Sequence, residues 1–387
     1  MPWKESRVVD ERTAFVEAWL KRTSSVSELC VRFEISRKTG HKWIARYHQG
    51  GLAGLVDQTR APRERPQSVS EEVVQAIVAL RKRHQFWGPK KLRAVLEGKS
   101  PTTKWPATST IGEILKRHGL VEERRTRRRT PASTQPLAAA TMPNVVWSAD
   151  YKGCFRVAGR WCHPLTITDN CSRMLLRVQA VNGTSEEEAR PIFESAFREY
   201  GLPWRLRTDN GSPFATRAIA GLSRLQVWWV KLGITPERIK PGHPEQNGRH
   251  ERMHRTLKKE TATPPRATED EQQRTFDEFR VEFNQERPHE ALDQKTPASR
   301  YKPSTRSFPE RLSEPDYPDG FALRRVTCNG TVSWCGVHLV LGSVLGGEAV
   351  AFEPVAEDTW QIWFGPIYLG LCRLEGKGRI DLIKNTG

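Results

Sequence analysis

Residues 144–209 constrain the fold of this chain more than any other stretch. Three runs, 145–151, 161–168 and 174–180, have the β-branched and aromatic character of strands, and Gly159-Arg160 marks a hairpin turn. Thr184 with Glu187 forms a capping box for a helix to about residue 200. Residues 204–208 are a fourth strand that stops at Asp209-Asn210-Gly211, and 218–232 read as a second helix. Three strands, a helix, a strand and a helix call for an α/β sheet in which strands distant in sequence lie side by side. In such a sheet the first and fourth strands can lie side by side, which would bring Asp150, on the first, and Asp209, at the end of the fourth, into one cleft.

A second stretch is aimed at the same place. Residues 240–260, KPGHPEQNGRHERMHRTLKKE, open with prolines and glycines and continue without them, so a loop enters a basic helix. Glu251 falls in its first turn. Two readings compete for it. Glu251 completes a metal-binding carboxylate set with distant aspartates, or His250-Glu251-x-x-His254 is a zinc-hydrolase motif. Residues four and seven positions on share a helix face, which sets Arg255 and Lys258 beside Glu251, placed to hold phosphates.

The formal charge of +17 and pI near 9.8 point to a polyanionic partner, nucleic acid first. No apolar run has the length of a membrane span and no signal-like segment opens the chain, so a soluble intracellular protein without membrane partners is expected. Seven scattered cysteines without a CxxC fit reduced structural thiols. Residues 10–49 carry three helical segments: Asp10 caps the first, Ser27 opens a short second, and Ser36 caps a third. The third turns Trp43, Ile44 and Tyr47 inward and carries Arg37, Lys38, Lys42 and Arg46 elsewhere. Short helix, turn, basic helix is the helix-turn-helix pattern; the plainer alternative is a structural bundle with a solvated basic face. Three further helical signals, 70–84, 89–96 and 109–118, follow, with Lys90 and Lys91 at the turn into the middle one. Arg124, Arg125, Arg127, Arg128 and Arg129 then lead into a linker expected to touch phosphates. Residues 321–387, with short apolar segments between Gly and Pro turns, suggest a small all-β barrel or sandwich. The expected layout is a helix-turn-helix domain at 1–62, a second at 66–122, a basic linker at 123–142, the α/β domain at 143–305 and the β domain at 320–387.

WSADYKG, RTDNGSPF and HPEQNGRHERMHRTLK resemble the three signature segments of retroviral-integrase-type DDE transposases, and WWVKLGI and FNQERPHEAL are similar to a bacterial insertion-sequence branch. SVSELCVRFEISRKTGHKWIARY resembles the helix-turn-helix of those transposases. The resemblance covers roughly residues 144–301 together with the N-terminal helices. It implies an RNase H-like catalytic domain with Asp150, Asp209 and Glu251 as catalytic and metal-binding carboxylates. It further implies Mg²⁺, with Mn²⁺ as a substitute, transposon-end and target double-stranded DNA as substrates, and a bacterial cytoplasmic, nucleoid-associated setting. Carboxylate oxygens suit hard Mg²⁺, and two such ions serve an in-line displacement at phosphorus. Joining two ends in one event requires a homodimer or larger assembly. Asn210 and Gly211 would shape the turn presenting Asp209, and Gly248 would permit close backbone approach. Asp169, more simply an Asx-turn residue, and Glu245 are the competing carboxylates. A zinc peptidase and a DNA-binding regulator with an inactive nuclease fold are the competing functions.

Overall fold

The computed structural model describes residues 8–57, 69–121, 137–241, 243–375 and 379–384, in two compact units that divide at residue 70. The first unit holds α1 (Val8–Leu20), α2 (Val26–Arg32) and α3 (Arg37–Gly50). Ser25 and Glu28 cap α2 reciprocally, two residues before the expected start, and Ser36 accepts the Thr39 N–H at the head of α3. Phe15, Val16, Leu29, Cys30, Trp43, Ile44 and Leu55 form the core. Gly40 lets α2 and α3 meet, since a Cβ there would lie 2.5 Å from Cys30 Sγ.

The second unit begins with α4 (Glu71–Arg83), α5 (Pro89–Lys99) and α6 (Thr108–Arg117). Pro89 occupies the first turn of α5, and Ile77, Leu80, Trp87, Leu92, Leu96, Ile111, Ile114 and Leu115 are buried. A six-stranded sheet follows, made of β1 (Val146–Tyr151), β2 (Phe155–Val157), β3 (Arg160–Asp169), β4 (Leu175–Val181), β5 (Arg205–Thr208) and β6 (Thr235–Arg238). β1 sits between β3, antiparallel, and β5, parallel; β6 extends the parallel edge, and β2 and β4 pair with successive parts of β3.

Helices cover both faces of this sheet. α7 (Glu186–Tyr200) and α8 (Arg224–Lys231) pack Phe193, Phe197, Trp228 and Trp229 against Trp147, Ala149, Leu165, Ile167 and Leu206. α9 (Gly248–Thr261) and α10 (Glu269–Val281) pack Met253, Leu257, Phe276 and Phe279 against Val157, Cys162, Leu175 and Val178. Each fully buried aromatic among these contributes roughly 1.5–3 kcal/mol from apolar area removed from water.

The chain ends in β7 (Ala322–Arg325), β8 (Thr331–Trp334), β9 (Val337–Val340), β10 (Ala349–Ala356), β11 (Thr359–Phe364), β12 (Ile367–Glu375) and β13 (Arg379–Lys384). Five of these form one antiparallel sheet and β8–β9 a hairpin. Their core, with Val350, Phe352, Ile362 and Phe364, takes in Val227 and Val230 of α8. Both parts of the chain therefore share apolar surface at α8. Among the described residues no helix is long and apolar enough to cross a membrane.

Candidate active site

Period-two alternation along β1 decides which side chains meet. Trp147 and Ala149 enter the core beneath α7 and α8, so Ser148 and Asp150 face the other way, toward α9. Asp150 pairs with Thr166 across the antiparallel register. On its other side Ser148 pairs with Arg207, and the same parallel register carried two residues on brings Asp150 level with Asp209, immediately past β5. The Gly211 N–H donates to Asp209 Oδ1 at 3.1 Å, and a Cβ on Gly211 would lie 3.1 Å from Oδ2. Asn210 Nδ2 donates to the Ile239 carbonyl at 2.8 Å.

Glu251 is exposed in the first turn of α9, while His250, Met253, His254 and Leu257 are buried. Arg255 and Lys258 are exposed on the Glu251 side, as the i+4 and i+7 spacing dictates. The three carboxylates form one electrostatic cluster. Burial pushes the Asp150 carboxyl up to about 7, the charge of Asp209 adds to it, and Glu251 acts in the same direction; the Tyr151 backbone and Lys152 oppose them. Asn247 Nδ2 donates to Asp150 Oδ2 at 3.4 Å.

The two histidines serve a purpose their spacing does not reveal. Both Nε2 atoms converge on Thr166 Oγ1, at 2.7 Å from His250 and 2.6 Å from His254. That hydroxyl donates to the Asp150 carbonyl oxygen at 3.0 Å, so it accepts from the two imidazole N–H groups. His250 Nδ1 then accepts from Thr168 Oγ1 at 2.9 Å. Burial lowers His250 to about 3 and lowers His254 as well, leaving both rings neutral. His254 Nδ1 lies 3.7 Å from Asp150 Oδ2, and potential ligand atoms of Asp150, His250 and His254 all fall within 4.8 Å of one another.

This trio is the third partner that the sequence did not supply for the histidines. A zinc centre there would need a lone pair from His250, whose two nitrogens are both engaged with Thr166 and Thr168, so only His254 Nδ1 and Asp150 would be left to bind it, and Glu251 faces solvent rather than the rings. Carboxylate oxygens suit a hard divalent ion better than imidazole nitrogens do, and the charges of both Asp209 and Glu251 act on Asp150.

The competing carboxylates are otherwise employed. Asp169 is buried and accepts from the N–H groups of Asn144 (2.7 Å), Cys171 (3.1 Å) and Ser172 (2.7 Å) and from the Ser172 hydroxyl (2.6 Å), as an Asx turn requires. Glu245 Oε1 lies 2.8 Å from His243 Nδ1. Gly248 does not act as expected: it has ordinary helical φ and ψ, and open space surrounds the place of a Cβ.

Of the basic residues, Arg37, Lys38 and Lys42 are exposed on α3, and Lys42 and Arg46 each lie 5.0 Å over the Trp43 ring. Lys90 pairs with Glu290 at 2.5 Å, and Lys91 donates to the Pro288 carbonyl. Burial, then Arg287, lowers Lys91 to about 8. Both lysines thus point at the segment after α10 in the same unit. Arg124, Arg125, Arg127, Arg128 and Arg129 lie outside the described residues. Sequence reading missed Thr166, Thr168 and Asn247; polar residues repeating at period two within the otherwise apolar run LTITD were the available signal for the threonines.

Family comparisons match this chain to two models described as "Integrase core domain", over residues 140–244 and 232–297. A "Helix-turn-helix domain" matches 11–63 and a "Homeodomain-like domain" 39–115. Similar proteins include the insertion element IS476 uncharacterized 39.2 kDa protein of Xanthomonas euvesicatoria, 26% identical over 73% of this chain and 79% of that protein. The insertion element IS407 uncharacterized 31.7 kDa protein of Burkholderia multivorans is 26% identical over 64% of this chain and 87% of its own length. The Gag-Pol polyprotein of baboon endogenous virus is 30% identical over 31% of this chain and 7% of the polyprotein. Among solved structures, the HTLV-2 integrase catalytic core domain in complex with magnesium aligns at 17% identity and TM-score 0.34, over 42% of this chain and 99% of that one.

Proposed function

This chain belongs to the integrase-core DDE transposases, on their insertion-sequence branch, and on that premise we propose that it binds the ends of its element, cleaves them to free 3′-hydroxyls and joins these to target DNA. The observation that supports the reading best is that burial and the like charges of Asp209 and Glu251 lift Asp150 to about 7. Two Mg²⁺ ions, or Mn²⁺ in their place, held by these carboxylates would activate the attacking oxygen and stabilise the leaving one. Asp150 and Asp209 are fixed by the pairing of β1 and β5, and Glu251 by the packing of α9. Asn247 orients Asp150. Arg255 and Lys258, on the Glu251 side of α9, hold DNA phosphates against the site.

End recognition falls to the helix-turn-helix modules, with Arg37, Lys38, Lys42 and Arg46 on α3 reaching DNA and the arginines at 124–129 adding charge for its backbone. Two ends must be joined together, so the working species is a homodimer or larger assembly on double-stranded DNA. Such a protein acts at the bacterial nucleoid.

Strand transfer on labelled end DNA with Mg²⁺ tests the reading. Asp150→Asn, Asp209→Asn and Glu251→Gln should each abolish product while retaining end binding. Wild-type activity in all three variants would refute the assignment, and retained end binding without cleavage by the wild-type protein would favour a regulator.

A further inference from the structure

A second charged cluster borders His250. A cavity of about 300 Å³ is bounded by Thr168, His250 and Met253 and receives Lys91 from α5, Arg173 from the turn after β3, Arg249 and Arg252 from α9, and Arg287. Its acids leave most of this charge unbalanced. Asp169, whose oxygens accept four hydrogen bonds from Asn144, Cys171 and Ser172, offsets part of the charge on Arg173, and Glu290 is exposed and paired with Lys90. Arg287 has Glu260 at 2.8 Å. Among the described residues, Arg173, Arg249 and Arg252 have no carboxylate partner within ion-pair distance. Arg249 Nη1 donates to the Asn170 carbonyl at 3.3 Å and Arg252 Nε to the Gly248 carbonyl at 3.2 Å.

Arg173 Nη1 is buried without a hydrogen-bond partner. Its backbone lies in the left-handed region, φ 66°, closed by a 3.0 Å hydrogen bond from its N–H to the Asp169 carbonyl. A non-glycine residue held there against its preference, with an unsatisfied guanidinium nitrogen, is what a ligand clamp presents before its ligand arrives. Burial lowers the Arg173 guanidinium to about 10, Arg249 and Arg252 press in the same direction, and Cys171 and Asp169 oppose them more weakly. An anion entering the cavity would relieve both the unmet hydrogen bond and the repulsion.

We propose that this cavity binds a backbone phosphate of the DNA that lies across the catalytic cluster. Guanidinium forks match phosphate oxygens in pairs, which fits a site built mainly of arginine. Location names the source of the phosphate. Asp169 is three residues along β3 from Thr166, the strand partner of Asp150, or roughly 10 Å at ~3.3 Å per residue. That span equals about three base-pair rises, so a strand threading the carboxylates reaches the cavity within a few nucleotides. Exposed Arg249, Arg252 and Glu290 form its rim. The DNA assignment rests on the proposed function; the anion site itself does not.

The test uses the full chain in EDTA, with anisotropy of a labelled duplex measured across a salt series. Arg173→Gln and Arg249→Gln should each weaken binding several-fold and reduce the slope of log K against log salt by ~0.9, the value for one DNA phosphate no longer neutralised. Without DNA, Arg173→Gln should melt at or above the wild-type temperature, because it removes a crowded charge; a lower melting temperature would make Arg173 structural and overturn its role. Should Arg173→Gln not fold, Arg249→Gln on the exposed rim decides. Unchanged slopes overturn the proposal. Inorganic phosphate that raises the wild-type melting temperature but not that of Arg173→Gln, with DNA slopes unchanged, would assign the site to free phosphate and overturn the DNA source. Strand transfer read in parallel separates the two ideas. Transfer lost in Asp150→Asn with intact slopes in the arginine variants sinks the cavity alone. No transfer by wild type, with reduced slopes in those variants, supports the cavity and sinks the function.

Discussion

Asp150→Asn should make the metal-free protein more stable, by an amount that pH controls. Burial, then the charges of Asp209 and Glu251, raise the Asp150 carboxyl from 3.8 to about 7. A folded-state value above the unfolded one gives stability that is fully present below the unfolded pKa and is lost as pH rises through the folded pKa. The window therefore runs from about pH 4 to about pH 7. Three units at 1.36 kcal/mol each amount to about 4 kcal/mol lost by pH 8.5, of which about 3 kcal/mol falls between pH 5 and pH 8.5. The side chain is only 18% exposed, so solvent screens little of this.

Asparagine cannot ionise and escapes the loss. Melting in EDTA at pH 5 and pH 8.5 should show the variant gaining on wild type by about 5 °C between the two, since the shift per kcal/mol in a unit as large as Glu71–Gly387 falls at or below the low end of ~2–4 °C. Mg²⁺ added at pH 8.5 should then stabilise wild type more than the variant, since it binds only where the charge is present. A gap that does not widen with pH, or a variant less stable than wild type at pH 8.5, would refute the account of Asp150.

Glu251→Gln changes an exposed side chain, so melting should move by no more than ~0.5 kcal/mol equivalent while strand transfer disappears; a large loss of stability would give Glu251 a structural role. Thr166→Val preserves shape but leaves two buried imidazole N–H groups and the Asp150 carbonyl without their common partner. Denaturant titration should show a loss of about 2–4 kcal/mol, with strand transfer reduced more than end binding. Asn284→Ala removes the side chain that accepts from the Leu175 N–H at 2.8 Å and donates to its carbonyl at 2.9 Å, and should cost about 2–4 kcal/mol by the same measurement.

The sequence was most legible where one physical signal acted alone. The strand runs around Asp150 and before Asp209 were plain because alternation and turn residues agreed. Helix starts drifted where several hydroxyl residues stood together: α2 begins after Ser25 rather than at Ser27, and α7 takes its cap from Ser185, which accepts the Glu188 N–H, rather than from Thr184. The helix expected at 218–232 is shorter. Ala220 and Gly221 turn left-handed, the Arg238 guanidinium fills the place of a Gly221 Cβ, and α8 starts afresh from a Ser223–Gln226 capping box. β6 escaped notice because it is an edge strand carrying Pro236, Glu237 and Arg238, tolerable only where one side needs no partner. His250 and His254 were visible as a motif, but their purpose depends on Thr166 and Thr168, some eighty residues earlier, and local spacing does not encode that.

The neutrality of those two rings bears on everything around them. Had His254 been protonated, its Nδ1–H, 3.7 Å from Asp150 Oδ2, would have formed an ion pair and supplied internally the positive charge that the carboxylates lack. Burial and the shared Thr166 hydroxyl prevent this, leaving two uncharged rings, of which His254 neighbours Asp150 and His250 borders the arginine-lined cavity. Neither cluster is neutralised by the other, and each carries a cost in stability through its own repulsion. That cost is intelligible if the partners come from outside: divalent cations for Asp150, Asp209 and Glu251, and a phosphate for Arg173, Arg249 and Arg252. On this reasoning a double variant, Asp150→Asn with Arg173→Gln, should exceed either single variant in melting temperature at pH 8.5 without DNA or metal, nearly additively because the neutral rings carry no charge between the sites. Strong non-additivity would mean that the two clusters sense each other through those rings and that the histidines do not insulate them.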